Sequence, residues 1–323
     1  MSVIHNQRLI AKICEMYYLL NMSQKEIASR LNISRPHICR ILSQARENGM
    51  VEIRIKNPYH KETMIEQQLI EKYNLEDALV ISSEGSNSGE QMTDFFREIA
   101  EYLDTCLTNG MNLGVMSGKT VSTIATHMKN GGKHLGVIVP LVGGLGAANP
   151  ELHASYIAMQ IASIYGGTPL VLNAPLVMSN AKTASIMKRE VTIAEVLKLG
   201  RNCDVAIIGI GNVDKNSTTA KVGGIGDEDL GKLQDAGAVC SVCNSYFDEN
   251  SHEVDVITEK SIGVGLKEIK RGRIIACAFG EDKITAIHAA LKTRYINTLI
   301  TNAVTASRLL QKNDIILDMD DTK

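Results

Sequence analysis

At 323 residues, with 44% hydrophobic and 22% charged residues, the chain has the make-up of a soluble globular protein with room for two domains, or three. The net charge of −2 hides an uneven distribution: Met1–Asn57 holds nine Lys/Arg against four Asp/Glu, and the remainder carries −7. The N-terminus lacks a signal peptide's apolar stretch, no run approaches the roughly 20 apolar residues of a membrane helix, and seven scattered cysteines exclude a disulfide framework. The expected setting is therefore the cytoplasm, with reduced thiols and no membrane partner.

In chain order, His5–Leu20 reads as an amphipathic helix whose Leu9, Ile13, Met16 and Tyr17 close a small core. Residues 23–48 then read as a helix-turn-helix. Ser23 with Glu26 forms a capping box, and Ile27, Ala28 and Leu31 give the first helix its apolar face. Asn32 tolerates the left-handed turn, Ser34 caps the second helix, and Pro36 sits in its first turn. On that helix Ile38, Ile41, Leu42 and Ala45 face inward, which leaves Arg35, His37, Arg40 and Arg46 outward. A packed back with a basic front suits the major groove of double-stranded operator DNA. Arg35, His37 and Arg40 are the expected base readers, and Ser34 and Arg46 the expected phosphate contacts. Gly49 ends the helix, and Val51–Lys56 alternates like the short strand of a wing. The basic balance of this segment supports the same nucleic-acid partner.

Asn57–Pro58 breaks the pattern and divides a DNA-binding domain, 1–57, from a second domain, 58–323. Lys61–Tyr73 follows as a helix that either joins the domains or pairs with a second subunit. From Ala78 the texture changes to short apolar runs: Ala78–Ser82, Met111–Val115, Leu135–Val142, Thr168–Leu172, Asp204–Ile210, Arg273–Ala278 and Asn297–Ile300. Helical stretches lie between them: Gly89–Leu107, Thr120–Lys129, Ala154–Tyr165, Thr192–Leu199 and Asp282–Leu291. This alternation predicts an α/β domain with a mostly parallel sheet covered on both faces, attached to an all-α, winged helix-turn-helix domain. Such sheets bind ligands at the carboxyl ends of their strands.

Several loops there carry candidate ligand chemistry. Met116-Ser-Gly-Lys-Thr120, between a strand and a helix, offers free N–H groups, a helix dipole and an ammonium to an anion. It is not a Walker A site, because Gly114 and Gly118 stand one residue too close. Pro140–Gly146 places Gly143 and Gly144 at another strand end, where paired glycines expose backbone N–H groups or simply turn. Gly209-Ile-Gly211-Asn212 ends a further strand, and Lys221–Gly226 reads as a mobile loop. These glycines lack the dinucleotide fingerprint, so no nicotinamide cofactor is expected. Cys240 and Cys243 form a lone CxxC without the second pair a zinc ribbon needs, so buried thiols are expected rather than a metal site. Asp248 is placed either to accept bonds from sugar hydroxyls or to cap a turn. Lys283 opens a helix after a strand, a suitable place for an ammonium to meet a phosphate, although Glu281 and Asp282 adjoin it.

Taken together, the chain resembles the SorC/DeoR-type sugar-binding transcriptional regulators of bacteria. The resemblance runs from QKEIASRLNISRPHICRILSQARENGMVEI through GVMSGKT, VPLVGGLG, DVAIIGIGN and GAVCSVCNSYFDEN to GEDKITAIHAALKTRYINTLITNAVTASRLL. It implies an effector domain related to phosphosugar isomerases and deaminases, a phosphorylated sugar or sugar alcohol as effector, and dimers or tetramers on the operator. By position it implies effector contacts from Ser117, Gly118, Lys119, Thr120, Gly143, Gly144, Asp248 and Lys283. The chain departs from the family in having no tryptophan, where an aromatic residue is frequent near Met116–Ser117. It also departs in placing Cys240, Ser251 and Phe279 where glycine is frequent. The rival reading is an isomerase or deaminase with an appended DNA-binding head, using Glu281, Asp282 and Lys283 as acid–base groups. Nothing in their spacing requires that chemistry, so no enzyme activity is expected.

Overall fold

The computed structural model describes residues 7–54, 56–82, 89–146, 149–222, 224–270 and 272–312. Two compact units divide the chain, Met1–Pro58 and Tyr59–Lys323.

The first unit packs α1 (Gln7–Cys14), a π turn (Glu15–Leu19), α2 (Gln24–Leu31) and α3 (Arg35–Glu47) around Ile13, Met16, Ile27, Ile38, Ile41 and Leu42. Its termini follow local chemistry. The Ser23 N–H donates to the Glu26 carboxylate (2.8 Å), and the Glu26 N–H donates back to Ser23 Oγ (3.2 Å). Asn32 takes the left-handed conformation at φ 54° that turns the chain into α3. The expected wing is absent: over its described residues, 51–54 and 56, the segment holds no strand. Alternation makes a strand only where a partner completes the ladder. Here the Val51 N–H donates to the Ala45 carbonyl and Val51 packs on the helical core, while Ile53 stays exposed. His5 and Asn6 of the predicted first helix, and Ile55 of the wing, lie outside the described residues.

The second unit is a three-layer α/β domain. Its elements are α4 (His60–Tyr73), β1 (Asp77–Ile81), α5 (Gly89–Cys106), β2 (Leu113–Val115), α6 (Lys119–His127) and β3 (Val137–Pro140). These lead to α7 (Ala154–Tyr165), β4 (Thr168–Pro169), α8 (Ala181–Arg189), α9 (Val191–Arg201) and β5 (Val205–Ile208). After β6 (Gly211–Asn212) come α10 (Thr218–Lys221), α11 (Asp227–Asp235), β7 (Cys240–Val242) and β8 (Ser245–Phe247). The unit closes with β9 (Arg273–Cys277), α12 (Ile284–Lys292), β10 (Thr298–Asn302) and α13 (Ala303–Gln311).

Seven strands form one sheet in the order β1-β10-β9-β5-β2-β3-β4, parallel at every pairing. They coincide with the seven apolar runs picked out in the sequence. Alternate residues of one strand serve opposite faces. Val205 and Ile207 join the core under α5, α6 and α7, whereas Ala206 and Ile208 join the core under α4, α9, α12 and α13. The helix at residues 60–73 belongs to this unit, since its Leu69 and Tyr73 are buried in the second core. Tyr73 Oη lies 2.8 Å from His288 Nδ1 of α12. A small antiparallel sheet, β6-β7-β8, packs beside α12. The sequence reading missed that sheet along with α8, α10, α11 and α13.

Candidate functional site

The sheet order reverses between β2 and β5: the chain runs outward from β2 to β4, then returns to the other side of β2. A crevice outside the carboxyl ends of the strands at such a point is the usual ligand site of open α/β sheets. A cavity of about 460 Å³ lies there, lined from the ends of β2, β5 and β9 and from the loops that follow them.

Ser117, Gly118, Lys119 and Thr120 line it together. Gly118 precedes α6 at φ +128°, a conformation that L side chains rarely adopt. Its N–H donates to the Leu152 carbonyl (2.9 Å), which anchors the loop. The next N–H groups, at the start of α6, have no acceptor within the helix, so the positive end of its dipole meets the cavity. Lys283 also lines the cavity, at the end of a 3₁₀ turn (Glu281–Lys283) that starts after Gly280, φ +123°. Asn212 Nδ2 donates to the Asp282 carbonyl (3.0 Å) and ties that turn to β6. Asp214 and Asp282 also line the cavity, so two carboxylates and two ammonium groups share it. Met92, Phe96 and Phe279 make an apolar wall, with Phe279 edge-on to Phe95 at 4.8 Å between ring centroids. Tyr246, buried beneath, has its phenol pushed up in pKa by burial and so stays neutral.

Three of the expected effector residues stand apart from the cavity. The Gly143 N–H donates to the Ile262 carbonyl (2.9 Å) and the Gly144 N–H to the Ala174 carbonyl (2.8 Å), so neither is free for an anion. Asp248 caps its own turn, accepting from the N–H groups of Asn250 (2.9 Å) and His252 (2.8 Å). Glu281 turns toward Arg308 at 3.5 Å, which separates it from Asp282 and Lys283. The run Asn212–Ala220, NVDKNSTTA, is a wall that sequence reasoning passed over after Asn212. Its signal was present: amides, hydroxyls and a carboxylate crowd the segment just after a buried strand. Gly223, in the loop read as mobile, lies outside the described residues.

Among the described residues no three His, Cys, Asp or Glu side chains stand close enough to hold a metal ion, and no helix is long and apolar enough to cross a membrane. Cys240 and Cys243 are buried, and burial pushes both thiols far up in pKa.

On α3, Arg35, Arg40 and Arg46 are exposed, Arg40 on the side away from Ile38, Ile41 and Leu42, and Arg35 and Arg46 on the flank beside Leu42. Ser34 occupies the N-cap position, but its side chain makes no cap hydrogen bond and stays exposed. His37 is half-buried, with Nε2 enclosed and without a hydrogen-bond partner.

Two families match these two units. A sugar-binding domain matches residues 57–311, and a Crp-like helix-turn-helix domain matches residues 7–60. The sorbitol operon regulator of Klebsiella pneumoniae is 31% identical over 311 residues, covering 94% of this chain and 98% of its own. The deoxyribonucleoside regulator of Bacillus subtilis is 29% identical, covering 96% and 98%. Among solved structures, the full-length sorbitol operon regulator SorC from K. pneumoniae matches with a TM-score of 0.71 and 29% identity, covering 94% of this chain and 99% of its own. A DeoR family transcriptional regulator from Listeria monocytogenes matches with a TM-score of 0.71 and 26% identity, covering 77% and 99%. A helix-turn-helix domain and a sugar-binding domain thus stand in one chain that matches such regulators over nearly its whole length, and the chain belongs to the SorC family of sugar-responsive transcriptional regulators.

Proposed function

We propose that the effector is a phosphorylated sugar or sugar alcohol whose phosphate sits between the N-terminus of α6 and Lys283. The single observation behind this reading is that Ser117–Thr120 and Lys283, far apart in sequence, line one cavity at the switch point of the sheet. A phosphate there meets free helix N–H groups, the Ser117 and Thr120 hydroxyls and two ammonium groups. Asp214, Asp282 and Asn212 then accept and donate to the sugar hydroxyls. Gly143, Gly144 and Asp248 act through the fold rather than through contact. Relatives named for sorbitol and deoxyribonucleosides fit an effector of this size and polarity.

In the same reading, Arg35 and Arg40 contact base edges in the major groove of an operator, Ser34 and Arg46 contact phosphates, and His37 positions the start of α3. The protein works in the cytoplasm as a homodimer or homotetramer, so half-sites lie about 34 Å apart or at a multiple of that distance. The cavity binds and does not turn over its ligand. A thermal-shift screen against phosphorylated and free pentoses, hexoses and their alcohols tests the effector. A ligand at ~100 times its dissociation constant adds about 2.7 kcal/mol of stability. Shifts with free sugars alone overturn the phosphate assignment, and turnover of a sugar phosphate overturns the non-catalytic one.

A further inference from the structure

The longest uncharged run in the chain is Ala154–Ala181, 28 residues without Asp, Glu, Lys, Arg or His. At the chain's 22% charge, a run of that length would carry about six charged residues. Uncharged segments ordinarily owe their character to burial. Here, however, 20 of the 28 residues keep accessible surface. The run comprises α7, the edge strand β4 and the strap that follows. Because β4 is the last strand of the sheet, α7 is the outermost helix on its face. Its outer side shows Tyr156 and Met159, 44% and 45% exposed, and Val171 of the strap is 44% exposed. The strap is held to the helix where the Leu172 N–H donates to Ser155 Oγ (3.2 Å).

We propose that this face joins two copies of the chain, with α7 packed against its symmetry mate near a two-fold axis. The proposal rests on the oligomeric reading above and names the surface responsible. A two-fold contact sets a patch against itself, so like charges would meet like charges. The run Ala154–Ala181 brings no charge of its own to such a contact, so it meets its copy without like-charge repulsion. Strand addition at the edge is not the route, because β4 spans only Thr168–Pro169 and Pro169 has no N–H to donate.

Sedimentation equilibrium of the full chain tests this with Met159→Glu and Met159→Lys, both at a surface position that leaves the core intact. Each variant alone places like charges across the axis and sediments at half the wild-type mass. An equimolar mixture pairs opposite charges and regains the wild-type mass, which a folding defect would not do. Variants that keep the wild-type mass overturn the α7 face while leaving the oligomeric reading standing. A mixture that stays at half mass overturns the pairing of α7 with itself, and a monomeric wild type overturns both readings.

Discussion

Removal of the two cavity lysines, one at a time, should weaken phosphate binding unequally. Lys283 is half-buried at the end of its 3₁₀ turn, whereas Lys119 is exposed. A hydrogen bond to a charged group contributes about 1.5–3 kcal/mol when partly desolvated, which is roughly 10- to 150-fold in affinity. An exposed ion pair contributes about 0–1 kcal/mol, or less than about fivefold. Lys283→Ala should therefore cost tenfold or more in the affinity of the most stabilising sugar phosphate, and Lys119→Ala a few-fold, by isothermal titration calorimetry. The corresponding free sugar should bind both variants as it binds the wild type. Affinity for the phosphorylated compound should also fall as pH drops from about 7.5 to 5.5, because a phosphate monoester loses its second charge near pH 6. Equal losses for phosphorylated and free sugar in Lys283→Ala, or a larger loss from Lys119→Ala, would refute the placement of the phosphate.

Three further outcomes are expected. Arg40→Ala should lose about 1–3 kcal/mol on operator DNA and less on random DNA, while Arg46→Ala should weaken both alike and lower the salt slope by about one. Gel shifts over a salt series separate these patterns, and a uniform loss in Arg40→Ala removes it from the base readers. Gly143→Ala should melt earlier, since its new Cβ would lie 2.7 Å from the Ala174 carbonyl oxygen and 2.6 Å from that of Pro175. Overpacking of this kind costs about 1–3 kcal/mol. Gly144→Ala meets nothing nearer than 3.7 Å and should be milder. Loss of effector response in Gly144→Ala at an unchanged melting temperature would return that glycine to the binding site. Finally, burial alone would raise the Asp104 carboxyl, but hydrogen bonds from Lys133 (2.7 Å) and Tyr165 (2.9 Å) hold it below the usual carboxylate range. A depressed folded value stabilises the protein above the unfolded pKa, about 3.9, and that contribution fades as pH falls through the folded value. Asp104→Asn should thus be destabilising at pH 7, with the gap to wild type narrowing below about pH 4. A constant gap across that range would refute the ionic contribution.

Local rules were legible where one segment meets its own requirements. The capping box of Ser23 and Glu26, the left-handed Asn32 and the apolar positions of α3 depend on neighbours within a few residues, and they appear as read. The seven strands were legible because a parallel sheet covered on both faces needs continuous apolar runs. The segment after Gly49 failed for the complementary reason: alternation states which side chains prefer burial, but among the described residues no partner strand turns it into a ladder. Gly143 and Gly144 failed likewise. A glycine pair at a strand end signals close backbone approach without saying to what, and here the approach is to the carbonyls of Ala174 and Ile262.

The sequence by itself thus determined the DNA-binding head, the α/β class of the second unit and the short polar loops at its strand ends, since those follow from periodicity, capping and turn chemistry along the chain. Only the tertiary structure decided which loops meet. Strand order brings β2, β5 and β9 side by side, so that Lys119 and Lys283, 164 positions apart, line one cavity while Asp248 turns back on itself. Adjacency in a parallel sheet is set by crossover connections and core packing, long-range terms that leave no mark on the residues beside the site.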